Sequence, residues 1–361
     1  MLSLARLLPL ALAGWLLAWS GAQAASAACQ GADGYGFVCG LENAEDLVLV
    51  PGTSWIIASS MTAGETAIYL VDAKEKTGSS LYSAATGRTA QNMTLYAACP
   101  GAPDADNFFT HGLTLRQGSN GGLTLYAVGH GEREAIEVFA VDNTTGRPEL
   151  TWIGCVPMPD GLEANSVAAF SDGSLLATVL VLPGKSFDDV VARKPTGAVY
   201  QWAPGDDGFT LIAGTELPGN NGIEVSADER EFFVVSSGLN TIVAFSRSNP
   251  ARLLRSTAEL PITPDNVHRD SNGRLITAGM INDDPVCGNM NTMVHFDIEA
   301  IASCPRSFIA SAIDPLSMQV TNIATGPANA DFSNATMALV VDDELWIGTF
   351  SGNRLAYRSV K

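Results

Sequence analysis

The sequence predicts an all-β fold, a six-bladed β-propeller. Three observations point there: the composition, a hairpin pattern that recurs six times, and a polar residue at the same place in every copy. Among 361 residues there are 35 Gly and 18 Pro, and charged residues make up only 16%. Short strands joined by tight turns suit that mixture, whereas long surface helices draw on Glu, Lys and Ala.

Each copy begins with a polar residue, continues as an alternating apolar strand, turns, and returns as a second apolar strand ending in Ser, Thr, Ala or Gly. The first starts at Glu45-Asp46, turns at Pro51-Gly52 and returns over 55–59. The second starts at His111, turns through 118–121 and returns over 123–127. The third runs from Asn165 through Asp172-Gly173 to 175–178, and the fourth from Asn221 through Asp228-Glu229 to 232–235. The fifth starts at Asp265-Asn266 and turns at Asn272-Gly273, and the last starts at Thr336 and turns at Asp342-Asp343. Third strands follow at 67–71, 137–141 and 241–245. Copies spaced by roughly 45 to 70 residues, each with three or four strands, match propeller blades. A β-sandwich has no need of six hairpins of one pattern.

Residues 1–24 read as an export signal: Arg6 supplies the positive end, residues 7–19 an apolar run too short to span a bilayer comfortably, and Ala22-Gln23-Ala24 a cleavage signature. Cleavage as late as Ala28 would expose Cys29, but Ser26 stands where a lipoprotein signal has Leu, which argues against lipidation. Residues 29–361 are then expected to form a single propeller domain, secreted or periplasmic, with no transmembrane span. The formal charge of −18 disfavours nucleic acid and anionic lipid as partners and attracts cations. Six cysteines in an exported chain can all pair, and the absence of C-x-x-C gives no support to a zinc ribbon or a thioredoxin-like site.

The start of each blade's innermost strand faces the central channel. Glu45, His111, Asn165, Asn221, Asp265-Asn266 and Thr336 therefore converge there. Carboxylates and amide oxygens in that number, with no thiolate among them, would be unsatisfied without a cation or water. They suit a hard ion, and Ca²⁺ tolerates irregular six- to eight-fold coordination better than Mg²⁺. His111 opens the second blade and His130 follows its returning strand, so the hairpin sets them side by side, placed to relay a proton. The alternative for His130, between two glycines, is an exposed loop residue. His268 and His295 read as residues inside strands without comparable partners, hence structural.

At these positions the chain resembles the paraoxonase/arylesterase family of calcium-dependent lactonases, within the wider group of gluconolactonase and strictosidine-synthase-like six-bladed propellers. Glu45-Asp46-Leu47, Phe109-Thr110-His111-Gly112, Asn221-Gly222-Ile223, Asp265-Asn266 and the closing Leu345-Trp346-Ile347-Gly348-Thr349 carry the likeness. The resemblance implies that Glu45, Asn165, Asn221, Asp265 and Asn266 bind a catalytic Ca²⁺ and that His111 and His130 form a catalytic dyad. It implies a second, structural Ca²⁺ at Asp46 and the backbone of Leu113. Ser166, standing where that family has Asp, removes one charged ligand from the second ion. The family's disulfide between the two ends is also missing, because residues 356–358 contain no cysteine. Cys39 then pairs elsewhere, with Cys29 as the nearby candidate; Cys99 with Cys155 and Cys287 with Cys304 are plausible partners, and connectivity stays open.

The expected activity is hydrolysis of a small-molecule lactone or ester, with a metal-polarised carbonyl and a His-activated water. No G-x-S-x-G element is present to support a serine hydrolase. Two alternatives stand beside it: a non-catalytic ligand- or protein-binding propeller with a structural ion, and a gluconolactonase-like enzyme of sugar lactones. Loops 184–196 and 283–291 are expected to border the channel mouth and set the substrate.

Overall fold

A computed structural model describes residues 29–64, 66–118 and 121–360. The export signal and its cleavage positions lie outside the described residues. Six sheets stand in a propeller, each built around three or four consecutive antiparallel strands. Blade one holds Leu47–Leu49, Trp55–Ser59, Ile68–Asp72 and Thr77–Tyr82. Blade two holds Phe109–Gln117, Leu123–His130, Ala135–Asp142 and Glu149–Pro157, with Arg88–Thr89 added in parallel at its edge. Blade three is Val167–Ala169, Leu175–Val179, Ala198–Trp202 and Thr210–Leu211, and blade four Asn220–Val225, Glu231–Ser236, Thr241–Ser246 and Leu253–Ser256. Blade five is Ile262–Arg269, Leu275–Ile281, Phe308–Ile313 and Val320–Gly326. All six hairpins fall where the repeat places them.

Blades stack face to face, so their middle strands are covered on both sides and read as apolar runs rather than alternations. In blade four Phe232, Phe233, Val234 and Val235 are all buried. Outer strands face solvent, and Thr77 to Ser80 are accordingly polar or small and exposed. The largest buried side chains include Trp152 and Trp346.

Blade six closes the ring. Its strands Ala335–Val341, Glu344–Thr349 and Arg354–Ser359 are joined by Gly36–Cys39, whose Phe37 pairs with Ala356 and Val38 with Leu355. Backbone hydrogen bonds between the first and last described strands thus do the work for which the resembling family uses a disulfide. Cys39 is bonded to Cys29, Cys99 to Cys155 and Cys287 to Cys304. Cys155 lies in blade two's outer strand and Cys99 in the segment leading into that blade. No helix among the described residues is long and apolar enough to cross a membrane.

Candidate metal centre and histidine relay

Four of the six innermost strands are irregular where the channel residues sit. Register shifts fall between Thr110 and Leu113, Asn220 and Ile223, Pro264 and Val267, and Ala335 and Met337. An irregularity of this kind turns side chains out of the pleat alternation, here toward the axis. Neighbouring blades must then approach closely. A Cβ on Gly112 would stand 2.6 Å from Ser166 Cα, and one on Gly222 2.6 Å from the Asp265 carbonyl oxygen, so only glycine fits after His111 and Asn221. Hydroxyls on the second strands prop the same segments: Ser59 accepts from Asp46 N, Thr178 from Ser166 N, and Thr277 donates to Asn266 O.

The result is one cavity of about 220 Å³ bordered by Glu45, His111, Asn165, Asn221 and Asp265. Asn266 is tied to this group by donating its amide to Glu45 Oε1. The Asn221 amide donates to Ser237 Oγ at 3.1 Å, and Ser237 in turn donates to the Pro264 carbonyl, which fixes the rotamer. Glu45 Oε2 and the Oδ1 atoms of Asn165, Asn221 and Asn266 are buried with no donor. Each such acceptor costs about 1–3 kcal/mol if left unsatisfied. Burial, reinforced by Asp265 and Asp46, pushes the Glu45 carboxyl well above its ordinary value. Burial likewise raises Asp265 to about 7.

The donor chemistry is that of a hard cation: two carboxylates and three amide side chains, all offering oxygen. No group of three or more His, Cys, Asp or Glu arranged for a metal occurs among the described residues. With only two carboxylates, this set takes most of its oxygens from amides. The Thr336 hydroxyl donates to the Glu45 carbonyl at 2.7 Å, which ties the start of blade six to the start of blade one.

His111 and His130 meet, with Nδ1 of the first 3.2 Å from Nε2 of the second. Sequence reasoning missed the third member, Glu134, whose Oε2 lies 2.6 Å from His130 Nδ1. His111 Nε2 is 3.9 Å from Glu45 Oε2, so the relay ends beside the carboxylates. Burial, helped by the adjacent His130, holds His111 down at about 3, which makes it a neutral imidazole at pH 7. His130 and Glu134 also border a second cavity, of about 480 Å³, that shares His111 and Asn165 with the first.

Asp46 behaves differently from Glu45. Its Oδ1 accepts from Leu47 N at 2.8 Å and lies 2.8 Å from His268 Nε2, and its Oδ2 accepts from Leu113 N at 2.7 Å. At Leu113 it is therefore the amide, a donor, that is aimed at Asp46. The expectation for His268 needs correction: it lies in a strand but has two carboxylate partners, Asp46 and, at 3.6 Å from Nδ1, Glu224. Burial opposes its charge, but Asp46 and Glu224 outweigh that and raise His268 to about 10. His295 is not in a strand at all; it sits in a bend against Asp188.

The mouth of the first cavity is made by two insertions, each between the second and third strands of its blade. Blade three contributes α1 (Phe187–Val191), whose cap Ser186 and Asp189 satisfy each other's backbone amides. Blade five contributes the segment containing α2 (Ile298–Ser303), capped by Asp297. Loops 184–196 and 283–291 do reach the mouth, and residues up to Ile301 extend the second of them.

No protein-family model and no curated protein matches this sequence. Solved structures do match in fold. A gluconolactonase from Xanthomonas campestris superposes with a TM-score of 0.51 over 90% of this chain and 89% of its own, at 15% identity. A luciferin-regenerating enzyme gives 0.51 over 91% and 99%, at 13% identity. At these identities the likeness is one of architecture.

Proposed function

We propose that the described propeller is a single functional unit, exported, that hydrolyses a lactone or ester with the help of one Ca²⁺ at the channel mouth. One observation carries this reading: donorless buried oxygens of Glu45, Asn165 and Asn221 and two carboxylates, both displaced toward the protonated form, line one cavity with His111, a neutral imidazole in contact with His130. The names of the matched structures, a gluconolactonase among them, agree with a lactone-hydrolysing propeller, and three disulfides agree with an oxidising compartment.

Glu45, Asp265, Asn165, Asn221 and Asn266 would hold the ion. When bound, Ca²⁺ supplies a Lewis acid that polarises the carbonyl and stabilises the negative charge developing on its oxygen. His111, neutral at pH 7, accepts the proton of the attacking water. His130 takes up the resulting charge through the Nδ1 to Nε2 contact, and Glu134 fixes its tautomer and steadies the imidazolium. The reverse transfer delivers the proton to the leaving alkoxide. A second ion at Asp46 is disfavoured, because His268, held cationic, and two backbone amides already donate to both oxygens of the carboxylate.

Purified protein, stripped with chelator, is tested on a panel of lactones and aryl esters before and after Ca²⁺ is restored. Hydrolysis that disappears on stripping and returns with Ca²⁺, while the fold persists by circular dichroism, is the expected result. Activity indifferent to chelation would remove the ion from the chemistry, and no hydrolysis across the panel would leave the non-catalytic reading.

A further inference from the structure

The walls of the mouth cavity differ in kind from its floor. The floor is polar and comes from the innermost strands; the walls are apolar and come from the two insertions, with Phe187 and Val190 on one side and Met290, Met293, Phe296 and Ile301 on the other. The insertions meet above the channel. The Phe187 and Phe296 rings stack at 4.6 Å with planes 16° apart, and Asp188 Oδ1 accepts from Phe296 N at 2.6 Å while Oδ2 lies 3.1 Å from His295.

The blade-five wall has little regular structure, yet its base is held firmly. Met290 to Ile301 all lie inside the loop that Cys287–Cys304 closes. The buried Arg306 side chain donates to the carbonyls of Cys287 at 2.7 Å and Gly288 at 2.8 Å, and Asp284 accepts from Val286 N and Cys287 N. Phe187 remains 45% exposed and Ile298 51% exposed although both line the cavity, so the wall presents apolar surface that nothing among the described residues covers.

We propose that α1 and the disulfide-closed loop 287–304 form a two-sided clasp that selects substrates by an apolar substituent on the reacting lactone or ester, and that Cys287–Cys304 keeps the selecting wall in place. This rests on the hydrolase reading for its substrate, but not for its binding. A tail reaching from the polar floor runs beneath the stacked Phe187 and Phe296 rings, along the apolar side chains that line the cavity, and covers surface that is otherwise wet, whereas a polyhydroxylated ring meets few hydrogen-bonding groups there. Each methylene covered on both sides adds affinity, so a six-carbon tail gains well over tenfold. If the loop were released, Phe296 and the methionines would no longer face α1, and that gain would be lost while the floor kept its residues.

The test compares γ-butyrolactone with its six-carbon-tailed homologue, and uses the correspondingly tailed γ-lactam as an unreactive probe in calorimetry. The wild type is expected to favour the tailed lactone by at least about tenfold in kcat/KM, mainly through KM. The Cys287→Ser/Cys304→Ser double variant is expected to lose that preference, keep turnover of the compact lactone within about twofold, and bind the lactam about tenfold more weakly. Phe296→Ala, which leaves the disulfide intact, should also lose the preference, and Val294→Ser, at an exposed position outside the cavity lining, should not. Equal treatment of both lactones by wild type and variants overturns the clasp and leaves the hydrolase. Discrimination in lactam binding with no hydrolysis of either lactone keeps the clasp and removes the hydrolase. A wild type that does not bind the lactam overturns the clasp outright.

Discussion

Glu45 and Asp46 are neighbours in sequence, both buried at 1% exposure or less, yet they face opposite parts of the channel and are treated in opposite ways. Asp46 points toward the end where His268 and Glu224 line a cavity, and both of its oxygens are met by donors of the protein itself, two on Oδ1 and one on Oδ2. Glu45 points toward the mouth and has one amide donor for two oxygens, with Asp265 and three amide oxygens around it. The same carboxyl group buried in the same channel is paired where the fold supplies the counter-charge, and is left open to a cation where the fold withholds it.

The sharpest way to break this comparison is to neutralise each end. Glu45→Gln together with Asp265→Asn is expected to weaken Ca²⁺ binding on the order of a thousandfold, because ligand charge sets the affinity of oxygen sites. Unchanged affinity in isothermal titration would mean that these carboxylates bind nothing. At the opposite end, His268→Leu should leave Asp46 without its cation and cost about 3–5 kcal/mol in denaturant unfolding. His268 is raised above its unfolded value, so its contribution is fully present below about 6.5. It is lost as pH rises through about 10. Wild-type stability should therefore fall between pH 7 and pH 10, and His268→Gln should flatten that fall; equal slopes would contradict the pairing.

The relay gives the next effect. His111→Gln should lower kcat about a hundredfold with metal content unchanged. His130→Gln should cost roughly tenfold, since it acts through His111. Full activity in His111→Gln would show that the relay does not handle the proton. The smallest effect on the metal is expected at Asn220, one residue from Asn221. Its side chain accepts from Leu217 N and donates to Thr215 O, so Asn220→Ala should cost about 1–3 kcal/mol of stability and leave Ca²⁺ affinity alone. Loss of metal there would show the strand turned the other way.

The blades were legible because their signals are local: strand, turn and strand lie within some twenty residues, and a propeller repeats them. The gathering of the six strand starts followed from the same repeat. What sequence could not reveal were contacts that depend on how one blade meets the next. His268 reads as an isolated strand residue because Asp46 and Glu224 lie on blades one and four, and only the closed ring brings them together. Glu134 escaped for a different reason: it sits four residues beyond His130 in a turn rich in charge, where nothing marks one glutamate over Glu132 until the turn is folded. The mouth insertions lack periodicity, so their boundaries were the least readable; the wall extends ten residues past 291 because α2 and the disulfide fold that stretch back over the channel.

The central claim is that the mouth of the channel holds a cation that its own carboxylates require. Calcium titration calorimetry from pH 5.5 to 8, in buffers of different ionisation enthalpy, tests it directly. Asp265 is raised to about 7 and Glu45 is raised as well, so binding below that pH must expel protons. The account predicts one ion per chain, proton release at pH 5.5 to 6.5, and an affinity that climbs as pH rises through about 7. Absence of binding, or an affinity flat across that range with no proton released, would contradict it.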